Sequence, residues 1–200
     1  TVFCASGPTE IVDVTNPTTG KIWMDRNLGA VQVATSITDA DSYGDYYQWG
    51  RESDGHQCAN SNTTTVLSSS DQVGHGDFII ASNTPYDWRS PQNDNLWQGL
   101  NGINNPCPLG YRIPTEAEFQ NELATWAFGT NGAFSSILKI PTPGYRRFDG
   151  NFMNIGSEGR YRTSTISGTN VKNLLLSNFD GNYMIPDKRN MGGTVRCIKD

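Results

Sequence analysis

Cys107-Pro108-Leu109-Gly110-Tyr111-Arg112-Ile113-Pro114-Thr115-Glu116-Ala117-Glu118-Phe119 combines a turn, a short strand and a helix start in one stretch. Pro106 and Pro108 hold the backbone around Cys107 extended, Gly110 supplies a turn, and Tyr111-Arg112-Ile113 alternates as a brief strand does. Thr115 predicts a helix N-terminus. Its hydroxyl can accept from the Glu118 amide while the Glu118 carboxylate reaches back to the Thr115 amide, a reciprocal cap. Phe119, Leu123, Trp126 and Ala127 then recur at helical spacing, with Glu122 and Thr125 off that stripe, and the helix is expected to end near Gly129. No other stretch predicts a helix so clearly. The remainder reads as short strands and long polar loops, so the expected class is α+β.

The 200 residues suffice for one domain with a real core, but only 36% are hydrophobic. Five Trp, eight Tyr and eight Phe must therefore fill much of it, and 21 Gly with 10 Pro imply abundant turns. A formal net charge of -5 and a pI near 5.0 argue against nucleic acid as a partner, which calls for clustered Lys and Arg. No apolar run approaches membrane-spanning length and the first residues lack the regions of a signal peptide, so no membrane insertion is expected. Cys4, Cys58, Cys107 and Cys197 form no CxxC pair, which removes zinc spacing. Two disulfides in an oxidising compartment, with three possible pairings, stand against four buried reduced thiols.

In chain order, strands over 10–15 and 21–28 flank a turn at 16–20 and predict a hairpin. Ile22, Met24 and Arg26 alternate with Trp23, Asp25 and Asn27, neither set wholly apolar, so both faces are expected to meet protein. Asp39, Asp41 and Asp45 could hold a structural calcium, but the EF-hand spacing is absent and a solvated loop is the preferred reading, with no cofactor required. Tyr46, Tyr47 and Trp49 predict a buried aromatic strand, and residues 51–70 a loop without elements. His56 and His75 sit beside Gly in polar stretches and no serine stands in a GxSxG elbow, so both are expected at the surface or in turns and no catalytic residue is assigned. Residues 77–80 predict a strand, and Trp88 and Trp97 anchor loops in the core. Strands are expected at 138–141, 174–176 and 194–198. Between them Tyr, Arg, Phe, Met and Asn mix without amphipathic order, a mixture that fits a binding surface and an ordinary loop-rich β region equally.

Five ordered blocks now carry a resemblance: Gly20-Lys21-Ile22-Trp23-Met24-Asp25-Arg26-Asn27-Leu28-Gly29, Tyr43-Gly44-Asp45-Tyr46-Tyr47-Gln48-Trp49-Gly50, Cys107 to Thr115, Gly144-Tyr145-Arg146 and Val195-Arg196-Cys197. Together they resemble the Fibrobacter succinogenes major paralogous domain, which looks like a branch of the C-type lectin fold, and they span nearly the whole chain. Within that group the chain is similar to the variable proteins of diversity-generating retroelements of phages and bacteria. The resemblance implies a single C-type lectin-like domain over 1–200, of short antiparallel strands, one or two helices and long irregular loops. It implies termini brought together as strands, Trp23 near Val195, and with them a Cys107–Cys197 disulfide; Cys4 with Cys58 is the second expected pair. Tyr111, Trp23 and Trp49 would be scaffold.

The same resemblance makes 144–197 a variable, ligand-binding region. Its solvent-facing residues would be Arg147, Phe148, Asn151, Phe152, Asn154, Arg160, Arg162, Lys172, Asn173, Asn178, Asn182, Tyr183, Met184, Lys188 and Arg189. One position departs: many relatives read aromatic-Trp-Ser-Ser where this chain has Tyr161-Arg162-Thr163-Ser164. The calcium-sugar signature of lectins, a Glu-Pro-Asn type loop followed by Trp-Asn-Asp, is missing, so calcium-dependent monosaccharide binding is not expected. The implied function is recognition of a host or cell-surface protein or glycan receptor, without catalysis, by an extracellular, cell-surface or virion protein and in repeated copies if it sits on a phage fibre. The alternatives are a structural surface domain without a ligand and a formylglycine-generating type enzyme, whose reactive cysteine pair has no recognisable setting at Cys107 or Cys197.

Overall fold

The expected hairpin forms with shorter strands, β1 (Asp13–Thr15) antiparallel to β2 (Ile22–Met24), in a computed structural model that describes residues 1–5 and 7–200. Four two-residue strands follow, β3 (Tyr47–Gln48), β4 (Thr63–Thr64), β5 (Phe78–Ile79) and β6 (Tyr111–Arg112), before the helices α1 (Glu116–Leu123) and α2 (Gly129–Ser135). The last third holds β7 (Tyr145–Arg146), β8 (Phe152–Met153), β9 (Glu158–Ser167), β10 (Asn170–Ser177), β11 (Gly181–Asp187), β12 (Gly192–Gly193) and β13 (Ile198–Lys199). They assemble into sheets of order β1-β2-β13-β6, β11-β10-β9 and β3-β12-β7-β8, all antiparallel, beside a parallel β4-β5 pair. The chain is thus α+β, with mostly short antiparallel strands and two α-helices among the described residues.

The β2–β13 pair divides the core. Successive side chains of a strand point to opposite faces. Trp23 and Ile198 accordingly pack with Phe119, Leu138, Ile140, Tyr161, Leu174 and Leu176, whereas Met24 and Cys197 pack with Tyr47, Trp49, Trp88, Trp97, Tyr111 and Ile113. Both faces of the hairpin meet protein, as its pattern predicts. Two disulfides, Cys107–Cys197 and Cys4–Cys58, close 90 and 54 residues of chain, each loop long enough to stabilise the fold by about 4–5 kcal/mol in a chain-entropy account. They fit an oxidising compartment. No helix among the described residues is long and apolar enough to cross a membrane.

Thr115 caps α1 in the reciprocal geometry expected, Glu118 N donating to Thr115 Oγ1 at 3.2 Å and Thr115 N to Glu118 Oε2 at 2.8 Å. Other expectations need correction. α1 stops at Leu123 and Gly129 instead opens α2; Ala127 is exposed. Glu122, expected off the buried stripe, is fully buried because three donors of the first hairpin converge on it. Asn16 Nδ2 reaches Oε2 at 2.7 Å, and Thr19 Oγ1 and Trp23 Nε1 reach Oε1 at 2.6 and 3.0 Å. Residues 138–141 form no strand: Lys139 adopts φ 49°, outside the extended region, although Leu138 and Ile140 remain buried. Residues 51–70 hold β4, and the last third is an ordered sheet of three long strands.

Glu122→Ala leaves Thr19 Oγ1 and Trp23 Nε1 without an acceptor and Asn16 Nδ2 with Thr125 Oγ1 alone, and urea unfolding should show a loss of about 3 kcal/mol; Glu122→Gln, which keeps an acceptor, should lose less.

Candidate ligand-binding face

β12 is two glycines because two arginines pass on either side of it. A Cβ on Gly192 would lie 2.9 Å from Arg146 Cβ, and one on Gly193 2.8 Å from Arg162 Nε. The space a side chain would take belongs at Gly192 to Arg146 Cβ and the Phe78 ring, and at Gly193 to the Arg162 guanidinium. Arg146 lies over the Phe78 ring, 4.2 Å from its centroid, and bonds Ser61 Oγ at 2.6 Å, Ser61 O at 3.0 Å and Gly150 O at 3.0 Å. Arg162 donates from Nε to Tyr47 O at 3.2 Å and from Nη1 to Lys188 O and Asn173 Oδ1 at 3.4 Å, and it also reaches Met191 O. Burial lowers the Arg162 pKa to about 10, which leaves the group charged at neutral pH. Arg189 ties Thr169 O at 3.1 Å to Asp94 Oδ1 at 2.6 Å.

This framework carries an outward surface. Strand register places Arg160, Leu175 and Tyr183 in one row across β9-β10-β11, and Arg162, Asn173 and Ile185 in the next row of that face, which is buried at Leu175, Arg162 and Asn173 and opens to solvent at Tyr183. Tyr145 of β7 lies under the Arg160 guanidinium, 3.6 Å from ring centroid to Cζ, and pairs with Met153 of β8. Arg160 Nη1 and Asn173 Nδ2 both donate to Asp187 Oδ2, at 3.0 and 2.9 Å. Just beyond Asp187, Lys188 Nζ sits between two aromatic rings, 3.6 Å from the Tyr86 centroid and 4.2 Å from that of Phe148. No carboxylate among the described residues pairs with it. Beside it opens a cleft of about 360 Å³ bordered by Thr84, Pro85, Tyr86, Thr169, Asn170 and Pro186.

The expected site residues divide into three groups. Arg147, Phe148 and Asn151 lie in the β7–β8 turn beside Lys188, and Asp149 holds the first and last of them. Phe152, edge-on to Tyr46 at 4.9 Å, and Asn154, exposed at φ 55°, continue the hairpin; Arg160 and Tyr183 belong to the same outward surface. A second group lies elsewhere. Asn178, bonded by Thr130, and Asn182, whose Nδ2 reaches Gly129 O at 2.7 Å, abut α2; Met184 packs on the core and Lys172 pairs with Glu116 at 3.5 Å. Six strand steps from Val171 to Ser177, at about 3.3 Å each, put the Asn178 turn about 20 Å from Lys188.

Arg162, Asn173 and Arg189 make up the third group and correct the expectation of solvent-facing positions, for all three are buried. Their polar atoms are consumed by backbone carbonyls and carboxylates inside the fold. Tyr86, outside 144–197, was not foreseen. It sits in a loop at φ 60°, where no periodicity marks it, and only the fold brings it to Phe148.

The calcium expectation finds its carboxylates separated. Asp39 accepts from Gln32, Thr35 and the Asp41 amide, Asp45 turns inward, and among the described residues no three His, Cys, Asp or Glu side chains converge as a metal group. His75 is exposed, as expected, but His56 is not. Its Nε2 accepts from Gln48 N at 3.0 Å and Nδ1 meets Asp54 Oδ1 at 2.6 Å, so both ring nitrogens are occupied. Burial, reinforced by Arg51, lowers its pKa to about 4. Burial pushes Asp54 up, but His56 and Arg51 outweigh it and hold that carboxyl at about 2.

A histidine depressed on folding stabilises the protein above its unfolded pKa of about 6.5 and loses that contribution as pH falls toward 4. The gap in unfolding free energy between the native chain and His56→Gln should therefore shrink from pH 6.5 to pH 4, measured by urea titration at each pH.

Comparison of the chain with protein-family models, with curated proteins and with solved structures finds no match.

Proposed function

We propose that this chain is a ligand-binding module of C-type lectin-like fold, related to the variable proteins of diversity-generating retroelements, which engages a protein or glycan receptor at a cell or virion surface. The single observation that carries the reading is Lys188, an ammonium held between two aromatic rings with no carboxylate partner at the rim of a cleft. An ammonium so placed is preorganised to meet an acidic or carbonyl group of a ligand. Around it Arg147, Phe148, Tyr86 and Asn151 offer rigid aromatic area and adaptable hydrogen bonding, the mixture typical of paratopes, and Arg160 and the exposed Tyr183 extend it along the sheet. Substitutions among these residues would retune recognition without disturbing the buried frame. Display in several copies on a fibre would add avidity to a weak single site.

This reading asks no chemistry of the cysteines, and Cys107 and Cys197 are bonded to each other. The experiment is binding of the purified domain to an array of host-surface glycans and envelope proteins, beside Lys188→Ala, Arg147→Ala and Tyr183→Ala. We expect Lys188→Ala to weaken binding by about tenfold or more with an unchanged thermal melt, the scale of a hot-spot residue. Binding left intact in all three variants would mean that the site lies elsewhere, and absence of any bound receptor would favour a structural surface domain.

A further inference from the structure

Asp45 is a largely buried carboxyl that no cation of the fold pairs with among the described residues. It is 8% exposed, and among the described residues no hydrogen bond of 3.5 Å or less reaches its carboxyl, the Tyr47 hydroxyl being the one hydrogen-bonding group that bears on it from a longer distance. The fold nonetheless makes room for it. A Cβ at Gly29 would lie 2.2 Å from Asp45 Cγ, so any side chain at 29 would displace the carboxyl, and the Gly29 amide is already given to Thr9 Oγ1 at 2.7 Å. Gly29 also has φ 86°, where other residues are strained. An ordinary buried carboxyl is paired or hydrogen-bonded, because isolation in a low-dielectric site disfavours its charge. Burial accordingly raises the pKa of this one to about 7, only partly offset by Tyr47.

The carboxyl lines a cleft of about 310 Å³ between the N-terminal segment and the body of the domain. Val2, Pro8, Ile11, Leu28, Pro106 and Pro108 give it apolar walls. The Tyr47 and Ser53 hydroxyls, 3.1 Å apart, and the side chains of Thr1, Thr9, Glu52 and Asn105 are its other polar groups, and among the described residues no Lys, Arg or His lines it. The outer wall is tied down: Val2 N donates to Ser53 O at 2.7 Å, Gln57 Nε2 donates to Val2 O at 2.9 Å, and Cys4 is bonded to Cys58. An apolar cleft of this size with a few convergent polar groups has the anatomy of a small-molecule site. Two carboxylates fall short of the six or more oxygen ligands a calcium ion takes, so a metal is the poorer fit. A single ammonium on an apolar stem matches the cleft.

We propose that this cleft binds a small aliphatic amine, whose ammonium rests on the Asp45 carboxylate beside the Tyr47 and Ser53 hydroxyls and whose hydrocarbon lies on Val2, Ile11 and Leu28. The site uses none of the residues of the Lys188 face, so the two bindings are separable. The probe is n-pentylamine, with 1-pentanol as its uncharged counterpart. Each is titrated at pH 8 into isotope-labelled protein while NMR follows the Asp45 carboxyl carbon and the Gly29 and Ser53 amides. Millimolar affinity is the expectation for so few atoms, and titration to about 50 mM covers it. The proposal predicts saturable shifts with pentylamine, at least about tenfold weaker binding of pentanol, and loss of the amine response in Asp45→Asn, the change expected on removing one partner of a buried charge pair. Equal binding of amine and alcohol, retention of amine binding in folded Asp45→Asn, or no saturable shift in the native protein would each overturn it. The amine-to-alcohol comparison uses the native chain, so it decides the matter even if the variant fails to fold.

Discussion

Buried guanidinium groups donating to backbone carbonyls are the interaction on which this structure depends. Most strands are two or three residues long, so ladders satisfy only part of the backbone, and a carbonyl buried without a partner is costly. Five arginines fill that deficit. Arg51 bonds Asp77 O and His75 O, Arg146 bonds Ser61 O and Gly150 O, Arg162 bonds Tyr47 O and Met191 O, Arg189 bonds Thr169 O, and Arg196 bonds Leu138 O at 2.7 Å and Met24 O at 3.3 Å. Each group joins segments far apart in sequence. The cost of burial is visible in Arg162 and Arg196, whose pKa values fall to about 10 and yet leave both charged at neutral pH. A planar fork with five donors is suited to this work in a way that a point charge is not.

The same frame gives the outward surface its character. Residues on loops that are clamped from beneath lose little freedom on binding, which favours affinity for a given contact area. Arg146 fixes the turn that presents Arg147 and Phe148, and Arg162 fixes the chain at Lys188 and Met191. Arg162 thus fills a buried slot through hydrogen bonds rather than ring packing. The two disulfides serve the same end at longer range, joining the C-terminal strand and the N-terminal segment to the body of the domain.

What could be read in the sequence was local. The Thr115–Glu118 cap, the turn at 16–20 and the buried Trp23, Trp49, Trp88 and Trp97 follow from short-range patterns, and the structure has them all. The failures concern charged or polar residues whose partners are distant in sequence. Glu122 reads as lying off the buried stripe because nothing nearby announces Asn16 and Trp23; the resemblance alone places Arg162 and Arg189 at the surface, and nothing near them in sequence announces their distant carbonyl partners. Apart from 174–176 of β10, the strands β9 to β11 leave no pattern for a related reason. Arg160, Arg162 and Asn173 occupy positions that a half-buried strand normally gives to apolar residues, so the alternation that marks such a strand is absent. Tyr86 depends on packing across the domain and leaves no local signal.

The measurement that tests the account most directly is urea unfolding of Arg162→Lys, which keeps the positive charge and removes the fork. Four acceptors, the carbonyls of Tyr47, Lys188 and Met191 and the Asn173 amide oxygen, then face one ammonium that cannot reach them all. The account predicts a loss of about 2–4 kcal/mol, the scale of a broken buried charged network. A change within about 0.5 kcal/mol, the scale of an ordinary surface substitution, would mean that charge alone suffices and that the carbonyl network does not hold the fold.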